Sequence, residues 1–170
     1  TLYQHSFNGL TTGSVPQPYT EEAGMYSDYV SNMNWTTSHP GGLTIQGGQS
    51  GQALAIPTAQ PASSTMTLSY DVQSGYEASV SGFSFYIKNE NSAGYKNWNL
   101  SINGQSVGSG AVTSSFALNT VTLTEPVRGL KGAVTVQLTL TNTSGLVTGN
   151  YLSVDDFKLN GFVELSPKLT

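Results

Sequence analysis

The stretch Tyr151-Leu-Ser-Val-Asp-Asp-Phe-Lys-Leu159 decides which fold we expect for this chain. Leu152 and Val154 alternate with polar residues, as the buried face of a strand does. The next apolar residues, Phe157 and Leu159, come one position out of phase. Because strand side chains alternate between two faces, an unbroken strand cannot bury both pairs on one face. A one-residue β-bulge at the two central aspartates would restore the phase, so the stretch predicts a bulged strand.

The two aspartates of this bulge, Asp155 and Asp156, have two interpretations. They form either a solvated bend or a structural Ca²⁺ site. The second interpretation is attractive because hard cations prefer clustered oxygen ligands, which an irregular backbone can present. The residues alone leave both open.

Composition narrows the possible functions. The 170 residues are enough for one domain with a sizeable core. Only 9% of the residues are charged, against roughly 25% in an average soluble domain, so Ser, Thr, Asn, Gln and Gly carry the polarity. Such a surface suits neutral ligands better than polyanions. The net charge of -4 and the six basic residues argue against nucleic acid. No apolar run approaches the length of a membrane span, so we expect no membrane insertion.

The chain contains no cysteine, which excludes disulfides, thiolate metal sites and cysteine nucleophiles. Together with the Thr/Asn/Gly-rich surface, this favours a secreted bacterial protein. The chain begins at Thr1 without a signal-like stretch, so we expect a mature or excised domain.

Alternation of apolar and polar residues predicts most of the strands. The clearest runs cover 66–72, 83–87, 98–102 and 134–140. Shorter predicted strands cover 2–7, 43–45, 54–56 and 121–123. Asn8-Gly9 and Asn103-Gly104 are typical turn sequences.

Nine or ten strands without a convincing helix predict an all-β fold, either a two-sheet antiparallel β-sandwich or a barrel. We expect one domain over residues 1–162, with 163–170 as a last short strand or a linker. Residues 11–42 show no clear period. They are interpreted as an irregular segment, either a wrapped loop whose aromatics plug the edge of the core or a functional loop.

A candidate binding surface follows from the parity of two strands. If Phe83, Phe85 and Ile87 are buried, the opposite face shows Tyr86 and Lys88. If Trp98 is buried as a structural residue, its strand shows Asn97 and Asn99. The connection 89–95 is short enough for a hairpin, which would place the two strands side by side and combine these four polar side chains in one patch.

This patch has the residue types that sugar recognition requires. A pyranose offers an apolar C–H face to an aromatic ring, and its hydroxyls pair with amide and charged donors. Tyr95 at the end of the connection and Trp35 from the irregular segment would add walls. The alternative is an ordinary solvated sheet face, and a register error of one residue would bring Trp98 into the site.

Other chemistry is sparse in the sequence. His5 and His39 have no metal-ligand spacing, and neither a nucleophile motif nor a phosphate-binding loop is present. Glycoside hydrolysis needs two facing carboxylates, whereas the acidic residues here are scattered and do not pair at one strand parity. We therefore do not expect an enzyme.

Three short motifs carry a family resemblance: Phe7-Asn8-Gly9, Ser50-Gly51-Gln52-Ala53-Leu54, and Val154-Asp155-Asp156-Phe157-Lys158-Leu159. With them the chain resembles the β-jelly-roll carbohydrate-binding modules and related galactose-binding-like or lectin-like sandwiches. The resemblance implies a jelly roll, and a sugar site on the concave face or in the loops at one end.

The resemblance also implies a structural Ca²⁺. In these families an Asp of the closing strand is a ligand, which corresponds to Asp155 or Asp156, and backbone carbonyls of the first strand and an early turn complete the site. Several of the families have an acidic residue in the first strand, where this chain has Gln4, His5 and Ser6. That departure puts the ion in doubt.

The function expected from the sequence is a non-catalytic carbohydrate-binding domain of a secreted or cell-surface bacterial protein. Its partners would be a polysaccharide or glycan and the other domains of a larger parent protein. One alternative is a structural or adhesion spacer without a ligand. Another is a jelly-roll polysaccharide lyase or glycosidase.

Overall fold

A computed structural model describes residues 1–20, 25–58, 61–143 and 149–167, and these form two antiparallel sheets around one shared core. No helix in these ranges is long and apolar enough to cross a membrane. The predicted all-β, two-sheet jelly-roll sandwich in one domain is confirmed.

Thirteen strands are described in these ranges. In chain order they are β1 (Tyr3–His5), β2 (Gly13–Ser14), β3 (Met25–Tyr26), β4 (Val30–Thr37), β5 (Thr44–Gly47), β6 (Gln52–Pro57), β7 (Ser64–Val72), β8 (Tyr76–Asn89), β9 (Asn97–Ile102), β10 (Gln105–Ala111), β11 (Ala117–Leu130), β12 (Gly132–Thr141) and β13 (Tyr151–Leu165). The larger sheet has the order β11-β8-β13-β6-β5-β2, with β1 beside β13 and β3 beside β1. The smaller sheet has the order β10-β9-β12-β7-β4.

The predicted bulge is present in β13. Asp155 lies opposite Tyr86 of β8, but the next register pair is Lys158 with Ser84. One residue of β8 therefore lies opposite two residues of β13. Asp156 is the extra residue of the bulge, and its φ is 47°. The apolar residues on both sides of the bulge are all buried, namely Leu152, Val154, Phe157 and Leu159.

Aromatic side chains join the two sheets. Trp98 of β9 packs edge-on against Phe85 of β8, with ring centroids 5.0 Å apart. Trp35 of β4 packs edge-on against Phe157 of β13 at 5.2 Å. Edge-to-face pairs of this kind add to the stabilisation that burial provides. Trp98 is buried, so its interpretation as a structural residue is confirmed.

The irregular segment expected over 11–42 is wrong in part, because it contains the eight-residue strand β4 at the edge of the smaller sheet. A register shift between Ser31 and Asn34 interrupts the pairing of β4 with β7. Asn32, inside this shift, has a φ of 55°. The bulge breaks the apolar alternation that would have revealed the strand.

The expected hairpin between β8 and β9 is also wrong, because the two strands belong to different sheets. The Glu90 N–H bonds to the Tyr151 carbonyl of the larger sheet, whereas the Lys96 N–H bonds to the Thr141 carbonyl of the smaller one. The connection therefore crosses from one layer to the other. The hairpin after β9 is confirmed, since Asn103 and Gly104 both have a positive φ and β10 pairs back onto β9.

Candidate functional site

The four-residue patch expected from strand parity is divided between the two outer surfaces of the sandwich. Tyr86 and Lys88 lie on the outer surface of the larger sheet, between buried neighbours on β8. Asn97 and Asn99 lie on the outer surface of the smaller sheet. The core lies between the two pairs, so they cannot contact one ligand together. This part of the prediction is wrong, for the same reason as the hairpin.

Three of these side chains are engaged by neighbours. Lys88 places its ammonium 5.0 Å from the ring centroid of Phe116. The Asn99 amide donates to the Ser106 hydroxyl at 2.9 Å, and Asn97 Oδ1 accepts from the Asn142 amide at 2.6 Å.

Trp35 and Tyr95 do not form walls of a surface site, because both are buried in the core. Trp35 Nε1 donates to the Tyr3 hydroxyl at 2.9 Å. The Tyr95 hydroxyl lies 2.6 Å from Ser64 Oγ, and it donates to the Pro61 carbonyl at 2.5 Å. These hydrogen bonds satisfy the polar atoms of two large side chains that fill the interior. Their assignment to the ligand site is wrong.

A different aromatic pair lies on the surface, at the end of the sandwich where β7 turns into β8. The rings of Tyr29 and Tyr76 stack with centroids 4.0 Å apart and an interplanar angle of 12°. Tyr29 is 45% exposed. Its carbonyl accepts a hydrogen bond from the Gln73 N–H at 2.8 Å, and its φ is 70°. The backbone thus holds Tyr29 against the β7–β8 turn. We call this region, centred on Tyr29 and Tyr76, the tyrosine end.

Tyr76 also lines an open depression of about 410 Å³ at the tyrosine end. The lining combines apolar and hydrogen-bonding groups from β7, the β7–β8 turn, the β11–β12 turn and the residue after β13: Val72, Gln73, Ser74, Gly75, Tyr76, Lys131, Gly132 and Ser166. Its volume lies within the range of about 300–1,000 Å³ that is common for small-molecule sites. A hydrogen bond with the Tyr29 side chain raises the pKa of Tyr76.

One further apolar side chain reaches the same region. Leu165, 71% exposed, lies opposite Tyr76 in the register of β13 and β8. Tyr26 on β3 and Phe162 on β13 are also exposed.

The charged groups beside the depression are partly paired. Lys131 Nζ lies 3.9 Å from Glu77 Oε2. Glu77 lies opposite Glu164 in the register of β8 and β13. Two acids therefore do face each other across neighbouring strands, contrary to the expectation from sequence. The sequence does not show that these two strands are adjacent. In the part of the chain that is described, no group of three or more His, Asp or Glu side chains is placed to hold a metal ion.

The surroundings of Asp155 test the expected calcium site. Its carboxylate is fully buried. One oxygen accepts from the Ser50 N–H at 3.2 Å, and the other accepts from the Asp156 N–H at 2.8 Å. Burial raises the pKa of Asp155 to about 6, while the N–H donors act in the opposite direction. Burial also raises the pKa of Asp156. The Gln52 carbonyl oxygen also lies near, 2.6 Å from the point where a Gly48 Cβ atom would lie 2.4 Å from Asp155 Oδ2. The N–H donors nevertheless engage both carboxylate oxygens, so these residues do not fit Ca²⁺, which takes six to eight oxygens.

The tyrosine end is not apparent in the sequence, because its residues come from four separate segments. Tyr29 lies in the segment 11–42, which has no clear period. The residues 73–75 and 130–132 have turn-like composition, but nothing in the sequence shows that both turns lie at the same end of the sandwich.

No protein-family model and no curated protein sequence matches this chain. Among solved structures, an arabinose-bound GH51 α-L-arabinofuranosidase matches 92% of this chain and 25% of that chain, with 10% identity and a TM-score of 0.55. The chain thus spans a quarter of the length of that enzyme, and the likeness supports the fold.

Carbohydrate-binding modules are also among the matched structures. A CBM35 module from Cellvibrio japonicus Abf62 matches with 16% identity and a TM-score of 0.46, over 98% of both chains. A CBM61 module in complex with β-1,4-galactotriose matches 75% of this chain and 88% of that chain, with 14% identity and a TM-score of 0.45.

Proposed function

We propose that this chain is a non-catalytic carbohydrate-binding domain that holds a glycan at the tyrosine end. The observation that carries the proposal is the stack of exposed Tyr29 on half-buried Tyr76, beside a depression of about 410 Å³. The rings offer apolar faces for the C–H face of a sugar. Gln73, Ser74, Lys131 and Ser166 offer donors and acceptors for its hydroxyls.

The rest of the surface agrees with a neutral or weakly acidic ligand. Charged residues make up 9% of the chain, and the one lysine in the depression has a glutamate beside it. Sites that combine a shallow depression with a few polar groups bind weakly, with dissociation constants from about micromolar to millimolar. In this proposal the domain belongs to a secreted or cell-surface bacterial protein and works beside other domains of a larger parent.

Affinity electrophoresis in gels containing neutral polysaccharides tests the proposal, followed by calorimetry with oligosaccharides of the polymer that retards the protein. Tyr29→Ala and Tyr76→Ala should each weaken binding by up to about tenfold, since an aromatic stacking partner contributes roughly 0.5–1.5 kcal/mol beyond the area it buries. The matched control is Tyr86→Ala, which removes a tyrosine from the outer surface of the larger sheet.

The outcomes separate the alternatives. Loss of binding only in Tyr86→Ala would mean that the glycan binds the outer surface of the larger sheet, the face expected from sequence for Tyr86. Absence of binding to every polysaccharide would favour the spacer or adhesion function. Release of reducing ends from any of these polymers would contradict a non-catalytic domain.

A further inference from the structure

Two turns that are far apart in sequence meet beside the bulge of β13. The turn 48–51 between β5 and β6 contacts the bulge through the hydrogen bond from Ser50 to Asp155. It contacts the turn after β1 through Gln52, whose side-chain oxygen accepts from the Gly9 N–H at 2.8 Å and whose own N–H donates to Asn8 Oδ1 at 3.2 Å. These are the three motifs on which the family resemblance is based.

The Asp155 carboxylate joins the bulge to the turn 48–51. The N–H groups of Ser50, Gln49 and Asp156 donate to its two oxygens. Gly48 packs so closely that a Cβ atom there would lie 2.4 Å from Asp155 Oδ2. Hydrogen bonds from backbone N–H groups to a carboxylate are charge-assisted and stronger than neutral ones.

The same chemistry disfavours a cation. The hydrogen of an N–H group carries the positive end of the peptide dipole, so a cation among these donors would be repelled where the carboxylate is attracted. The first strand supplies no compensating acid. Gln4 is exposed, and the Nδ1 atom of His5 accepts from the Phe7 N–H at 2.9 Å.

We infer that the Asp155 carboxylate holds the turn 48–51 to the bulge of β13 through backbone N–H donors, and that the domain reaches its full stability without the calcium ion that the family resemblance implies. The inference is independent of the proposed glycan site. It assigns to this chain a structural anchor made of one buried side chain and three amide groups.

Thermal unfolding of the whole chain tests the inference, with the wild type and Asp155→Ala each measured in excess chelator and in millimolar CaCl₂. We expect the wild-type melting temperature to be the same in both solutions. Asp155→Ala leaves buried N–H groups without an acceptor and should lower the melting temperature by about 5 °C or more, by the same amount in both. Glu164→Ala, which removes an exposed carboxylate from the same strand, is the matched control and should leave it nearly unchanged.

A calcium site gives the opposite pattern. Chelator would then lower the wild-type melting temperature, and CaCl₂ would restore it, because an ion that binds only the folded state stabilises it by mass action. The loss in Asp155→Ala would also appear only with calcium present. Either result overturns the inference, and so does an Asp155→Ala variant as stable as the wild type. If Asp155→Ala does not fold, the wild-type comparison still decides between an anchor and an ion.

Discussion

Phe157 stacks on Phe85 with ring centroids 5.9 Å apart, although the register that begins β13 would place it on the outer surface. Without the bulge, Phe157 would lie opposite Ser84, which faces outward. The extra residue, Asp156, is what turns the second half of β13 inward. The alternation of side chains along β13 therefore decides whether the same face of the larger sheet is buried over the whole length of the strand.

The bulge predicts how position 156 tolerates substitution. Asp156 has a φ of 47°, a conformation that glycine adopts freely and that β-branched residues avoid. Asp156→Gly should leave the free energy of unfolding within about 0.5 kcal/mol of the wild type, and Asp156→Val should lower it by about 1–2 kcal/mol. Urea denaturation measures both. Lys158→Val, on the outer face of the same strand, is the control expected to be nearly neutral, and an equally harmless Asp156→Val would contradict the bulge.

The bulge was predictable because a change of phase is visible in one short stretch. The pairing of β8 with β11 and β13 was not predictable, because a strand shows the same apolar alternation whichever strand lies beside it. For that reason four side chains lie on the expected faces of their strands, but the two strands are not neighbours as predicted. These side chains are Tyr86, Lys88, Asn97 and Asn99. The length of a connection likewise does not tell a hairpin from a crossover between sheets.

Trp35 and Tyr95 were misplaced for a different reason. Neither stands in a clean alternation, because the shift at Asn32 hides the strand of Trp35 and Tyr95 lies in a connection. Sequence periodicity identifies core residues only where the backbone is regular. The tyrosine end is assembled from turns, so it could be found only in three dimensions.

The buried bond between Trp35 and Tyr3 predicts a stability cost for one lost hydroxyl. Tyr3→Phe removes the oxygen that accepts from Trp35 Nε1 at 2.9 Å and leaves that buried N–H without this acceptor. The free energy of unfolding should fall by about 1–3 kcal/mol. Chemical denaturation followed by tryptophan fluorescence measures the loss. Tyr26→Phe, which changes a tyrosine that is 58% exposed, should have no comparable effect. A fully stable Tyr3→Phe would show that the bond contributes little.

Gly161 predicts a position where even one methyl group is not tolerated. A Cβ atom there would lie 1.9 Å from the Ser79 carbonyl oxygen and 2.7 Å from Leu2 Cδ1. Because the first obstacle is backbone, Gly161→Ala should separate β13 from β8 locally and lower the free energy of unfolding by more than about 2 kcal/mol. At Gly47, which has nothing within 4 Å of its Cβ position, the same substitution should be neutral or slightly stabilising. Equal effects at the two positions would contradict the close approach of β13 to β8.

The raised pKa of Asp155 predicts a pH dependence with a definite sign. Burial raises this pKa to about 6 from an ordinary value of 3.8, so the folded state binds the proton more tightly than the unfolded state. The stabilisation that results is complete below pH 4, and it is lost as the pH rises through 6. At pH 5 it should amount to about 1.4 kcal/mol relative to pH 7.5.

Asp155→Asn isolates this contribution, because the variant has the other titrating groups and lacks this one. The free energy of unfolding is measured by urea denaturation of both proteins at pH 5.0 and pH 7.5. From pH 7.5 to pH 5.0, the free energy of unfolding of the wild type should rise by about 1.4 kcal/mol relative to that of the variant. This expectation does not depend on the absolute difference in stability between the two proteins. Parallel pH profiles would mean that Asp155 titrates alike in the folded and unfolded chain. A carboxylate buried between the turn 48–51 and the bulge could not do so.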